Sequence, residues 1–73
     1  MDARQLDKIV KTLELLEKLQ GMLRSGHRHK AGFARITLRR AGFDQAEIDR
    51  LARGDDVNDV VLAVIERQEQ NKR

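Results

Sequence analysis

"AGFARITLRRAGFDQAEIDR", residues 31–50, carries the triplet Ala-Gly-Phe twice, at 31–33 and again at 41–43. Two copies of one structural unit, or one string of letters in two roles, would fold the middle of the chain differently. The second copy is followed by Asp44 and, three residues on, by Glu47. An aspartate at an N-cap accepts from the N3 backbone N–H, and a glutamate at N3 reaches back to the N-cap N–H. That spacing predicts a capping box opening a helix at Gln45, with Phe43 and Ile48 placed as its hydrophobic staple. Gly42 falls where the preceding helix needs a left-handed residue just past its end, and Phe43 is placed to fold back towards Leu38. One Gly-Phe pair therefore stops one helix and starts the next. The first copy is followed by Ala34 and Arg35, which cap nothing, so Gly32 and Phe33 read as the first turn of the helix that Gly42 ends. The repeat is a coincidence of letters, and a ten-residue period matches no solenoid.

Outward from this stretch, the second helix is expected over about His29 to Ala41. Its apolar side is Ala34, Leu38 and Ala41, with Phe33 and Ile36 flanking, while Arg35 and Arg39 lie one turn apart on another face. The third helix, Gln45 to Arg53, buries Ile48, Leu51 and Ala52 and stops at Gly54. A fourth begins after Asp55 or Asp56, acids suited to a helix N-terminus, and buries Val57, Val60, Val61, Val64 and Ile65. Its end, "RQEQNKR" at 67–73, is polar all round and is expected to fray.

Towards the N-terminus, Asp2 is read as an N-cap with Gln5 three residues on. Leu6, Ile9, Leu13, Leu16 and Leu23 then recur at steps of three and four, with Gln20 in the polar slot. This is a heptad seam about 35 Å long at about 1.5 Å per residue, and it is read as a homodimer interface. A long helix that only covers the C-terminal part satisfies the same pattern. Val10, Leu15, Leu19 and Met22 fall off the seam, so the later turns are apolar over more than one face. Gly21 costs about 1 kcal/mol relative to alanine and is placed to end the helix early. "RSGHRHKAG", 24–32, reads as a connection.

The fold class is all-α: a long coiled-coil-like helix over 1–24, a basic linker over 25–30, a compact three-helix unit over 31–70 and a tail at 71–73. Proline, tyrosine and tryptophan are absent and strong helix formers abound. A chain of 73 residues buries only about 60% of its unfolded surface. With no cysteine, no disulfide or thiolate zinc site adds stability, which leaves oligomerisation as the available device. The longest apolar run, "VVLAVI" at 60–65, is too short to span a bilayer, and the N-terminus has acids where a signal peptide needs a basic then apolar segment. The expectation is a cytoplasmic protein without a membrane role.

Residues 25–43 hold five basic side chains and no acidic one, whereas residues 44–73 hold five basic and eight acidic. A basic waist marks a contact with nucleic acid or with an acidic protein, or merely complements a neighbouring helix. Residues 36–65, "ITLRRAGFDQAEIDRLARGDDVNDVVLAVI", resemble a ubiquitin-associated (UBA-like) three-helix domain. Gly42-Phe43 matches that family's loop, Leu51-Ala52 its small apolar pair, Asp56-Val57 the start of its third helix, and Val60, Val61, Val64 and Ile65 follow. The resemblance covers about 30 of the 73 residues. It implies a protein-binding module with the Gly42-Phe43 loop at the partner surface. Ala41 stands where the family has the methionine that grips ubiquitin, which points to a different protein partner.

The same residues resemble a helix-turn-helix, with Gly42 at the turn. Its recognition helix would present Asp44, Gln45, Glu47 and Asp49, and acids facing phosphates repel. Duplex DNA would therefore be met by Arg24, Arg28, Lys30, Arg35, Arg39 and Arg40, chiefly through phosphates.

Little else suggests chemistry. His27 and His29 supply two metal ligands at best, with arginine and lysine rather than carboxylates nearby, so no metal site is expected. Ser25 has no oriented base, no phosphate loop is present, and the carboxylates read as caps or solvated faces. Both phenylalanines are assigned to packing, which removes the stacking platform that single-stranded RNA needs. The expectation is a non-enzymatic, cofactor-free regulatory or adaptor protein. It dimerises through its first helix and binds another protein through Arg28, Lys30, Arg35, Arg39, Arg40, Gly42 and Phe43; the alternative is a basic DNA-binding regulator acting through 24–40.

Overall fold

A computed structural model describes residues 3–70. They form four helices and, among the described residues, no strand: α1 (Ala3–Arg24), α2 (Arg28–Arg40), α3 (Gln45–Ala52) and α4 (Val57–Gln70). The chain is all-α, as composition indicated. Asp2, the expected first cap, lies outside the described residues. Gly21 does not end α1, which continues to Arg24. Leu19 on one side of it is buried, and Met22 and Leu23 on the other pack against the core, which offsets the glycine's cost of about 1 kcal/mol. The connection after α1 is shorter than the sequence suggested, since Arg28 to Lys30 already belong to α2.

The turn around the second Ala-Gly-Phe is built as its residues demand. Gly42 has φ +106°, its N–H donates to Arg39 O (3.1 Å), and the Phe43 N–H donates to Leu38 O (3.0 Å). These two bonds are the Schellman closure of α2. Asp44 then caps α3: the Glu47 N–H donates to Asp44 Oδ1 (2.8 Å) and the Asp44 N–H to Glu47 Oε1 (2.7 Å). The same closure ends α3, with Gly54 at φ +102°, its N–H on Leu51 O (3.1 Å) and the Asp55 N–H on Arg50 O (3.0 Å).

The core draws on every helix: Leu16 and Leu19 of α1, Ala34 and Leu38 of α2, Phe43 of the turn, Ile48 and Leu51 of α3, and Val57, Val60 and Val64 of α4. The later half of α1 is thus a wall of this core. Gln20, in the polar slot of the seam, donates from Nε2 to Leu51 O (3.1 Å) and Asp55 O (2.7 Å). Arg24 donates to Ala52 O (3.2 Å) and lies across Gly54, where any Cβ would collide with its guanidinium. Arg24 thus satisfies a last-turn carbonyl of α3, and Gln20 ties Leu51 O, already bonded by the Gly54 N–H, to the Asp55 carbonyl just past the helix.

Two expectations about burial change, and the first is Ala41: placed on the apolar side of α2, it is the exposed C-cap just past the helix. Ile65, assigned to the core, is nearly half exposed, because the core face of α4 runs through Val57, Val60 and Val64 and Ile65 is turned about 100° from Val64. The end of α4 stays helical through Gln70, and Arg67 is held there. Its guanidinium donates to Glu47 Oε2 from Nε and to Glu47 Oε1 from Nη2 (both 2.9 Å), and also bonds the Gly42 carbonyl. Nε lies 3.2 Å from Asp44 Oδ2. One arginine of α4 therefore clamps the α2–α3 turn and supplies the partner that lets Glu47 be buried.

Candidate functional site

The exposed face of α2 collects most of the basic waist. Arg28, Lys30, Arg35, Arg39 and Arg40 are all exposed. Arg35 Nη1 is 3.6 Å from Asp49 Oδ1 across to α3, an open pair of small energetic weight. The other four have no carboxylate partner among the described residues. Gly42 and Phe43, expected beside them at a partner surface, serve the fold instead. Phe43 is buried in the core and Gly42 is half buried with its carbonyl on Arg67.

Two side chains that the sequence had assigned to packing stand open on this face. Phe33 is 61% exposed and Ile36 58%. The buried stripe of α2 passes through Ala34 and Leu38 with Ala31 partly covered, and at about 100° per residue Phe33 and Ile36 fall outside it. They share a stripe with His29 and Arg40, at spacings of four, three and four residues, and Arg28 and Arg39 lie alongside. The signal was the spacing of Ala31, Ala34 and Leu38, which sets the core-facing stripe and turns Phe33 and Ile36 away from it. An aromatic ring and a branched aliphatic chain set among free guanidinium groups, on a helix without an acid, suit an acidic surface with an apolar spot.

Helix α3 has the opposite character. Its first turn exposes Gln45, whose Nε2 donates to Asp49 Oδ1 (2.9 Å), and Asp44 and Glu47 are committed to Arg67. At its far end the Asp55 carboxyl is held well below the usual carboxylate range by hydrogen bonds first from Arg53 and then from Arg50. The Arg53 guanidinium is raised in turn by Asp55, and that of Arg67 by its hydrogen bond to Glu47.

A second open feature lies between the first half of α1 and α4. An apolar groove of about 360 Å³ is lined by Ile9, Leu13, Leu16, Val61 and Ile65, with Lys8 and Thr12. Of the seam residues, Leu16 belongs to the core, Leu13 and Leu23 pack against it, and Leu6 and Ile9 are exposed. His27 and His29 are exposed, and no group of three or more metal-ligating side chains occurs among the described residues. No helix there is long and apolar enough to cross a membrane. No protein-family model, curated protein or solved structure matches the chain.

Proposed function

We propose that the chain is a small non-enzymatic regulatory or adaptor protein that self-associates through α1 and holds a second protein on the exposed face of α2. The observation that carries this reading is the exposure of Phe33 and Ile36 between Arg28, Arg39 and Arg40. Phosphates offer an isoleucine nothing to pack on, whereas a protein surface presents carboxylates and apolar side chains together. The UBA-like pattern over 36–65 supports the same class of partner. The partner surface moves, however, from the Gly42-Phe43 turn to α2.

The alternative is a DNA-binding regulator that contacts phosphates through the waist, and the four basic residues of α2 without carboxylate partners favour it. The experiment is affinity capture with and without nuclease, set beside duplex DNA binding at about 0.15 M salt. The expected result is capture that survives nuclease and is lost in the Phe33→Asp/Ile36→Asp double variant. Duplex binding with a log-log salt slope near −0.9 per phosphate contact, flattened by up to about three when Arg35, Arg39 and Arg40 become alanine, would establish the alternative.

A further inference from the structure

The groove between α1 and α4 is open on a chain that carries a matching insert. Ile9, half exposed, lies on one wall, and Leu6, one turn earlier, continues the same apolar stripe beyond the body of the domain. On the opposite wall are Val61 and Ile65, with exposed Leu62 beside them. The charges around the two walls differ in sign. In the first turns of α1 Lys11 is paired with Asp7 (3.1 Å), which leaves Arg4 and Lys8 without a carboxylate partner among the described residues. Along the exposed side of α4, Asp59, Glu66 and Glu69 have no ion-pair partner among them either.

We infer that the groove is closed by a second copy of this chain, with the basic first turns of α1 laid on the acidic, apolar side of the partner copy's α4. This names the partner surface within the self-association already proposed and rests on that reading. The contact is isologous: a two-fold axis makes it twice, each copy giving its α1 and receiving the other's. A parallel α1 to α1 seam is the weaker arrangement on two counts. Of the seam, Leu16 is buried in the chain's own core and Leu13 and Leu23 pack against it, so only Leu6 and Ile9 remain exposed, far short of the three or more heptads that a coiled coil sustains. It would also set Arg4 and Lys8 beside their own copies, whereas α4 offers carboxylates.

The test is sedimentation equilibrium of the full chain from low to high micromolar concentration, with disulfide mapping made clean by the absence of native cysteine. A dimer is expected, weakened at least about tenfold by Ile9→Glu and by Ile65→Glu and also weakened when salt rises from about 0.05 to about 0.5 M. Both isoleucines are half exposed in the single chain, so circular dichroism of the variants should stay helical. When Thr12→Cys and Leu62→Cys chains are mixed, the 12-to-62 product should form in preference to 12-to-12. A dimer that cross-links only 12-to-12, or that is indifferent to Ile65→Glu, overturns this geometry and leaves self-association through α1 standing. A chain that remains monomeric throughout overturns both, without touching the partner surface on α2.

Discussion

Phe33 and Phe43 end the same three-letter string, yet Phe33 is 61% exposed and Phe43 only 9%. What separates them is what their neighbours do to the backbone. After Phe43 the capping box starts a new helix, so the ring is folded between the end of α2 and the start of α3. After Phe33 the helix simply continues, and a residue inside a helix faces wherever the packing of its stripe sends it. The stripe through Ala34 and Leu38 claims the core, and Phe33 is left outside. The two halves of α1 repeat the lesson on one helix: the later half is held by Leu16, Leu19, Gln20 and Arg24, while the earlier half carries the same kind of leucine and isoleucine pattern into the open.

The largest expected effect tests the phenylalanines directly. Phe43→Ala should cost about 3–5 kcal/mol in chemical unfolding, while Phe33→Ala should stay within about 0.5 kcal/mol. Equal losses would break the contrast. The glycines of the two triplets should respond with opposite signs. At Gly42 the φ of +106° and a Cβ only 3.0 Å from Gln68 Nε2 make Gly42→Val cost at least about 1 kcal/mol. At Gly32 an added Cβ has nothing within 4 Å, so Gly32→Ala should gain about 0.5–1 kcal/mol; melting temperatures of the pair decide it.

Arg67→Ala should lower the melting temperature, because the buried Glu47 carboxylate and the Gly42 carbonyl lose their donor, while Arg39→Ala on the open face of α2 should leave it unchanged. Indifference to Arg67→Ala would mean that the turn stands on its capping box alone. The smallest effect concerns acid. Because Asp55 is held below its unfolded value, its contribution is present above about pH 4 and is lost as pH falls towards the lowered folded value. Asp55→Asn should therefore flatten the fall in stability below about pH 4 and leave Phe33 and the α2 face untouched.

The number of helices, the end of α2, the start of α3 and the role of Gly42 were legible because each depends on residues within a few positions of one another. A cap reaches three residues along the chain, and a left-handed turn needs only its glycine. The heptad pattern of α1 was legible too, but not its partner, since a hydrophobic stripe specifies a covering surface without saying whose. That the chain's own core covers Leu16 and Leu19 follows from contacts with α2, α3 and α4.

Arg67 shows the same limit from the polar side. Within "RQEQNKR" it looks like any solvated charge, and only the fold of α4 back onto the α2–α3 turn, 20 residues away in sequence from Glu47, gives it a buried carboxylate to hold. The exposed Phe33 and Ile36, on which the functional proposal rests, belong to this second group. The sequence by itself determined four helices, the turns at Gly42 and Gly54 that separate α2 from α3 and α3 from α4, and an acid-free basic segment, because those follow from short-range backbone geometry and composition. Which apolar and charged side chains are covered was decided only by tertiary structure. Burial is a property of the neighbour that happens to pack there, and that neighbour comes from elsewhere in the chain.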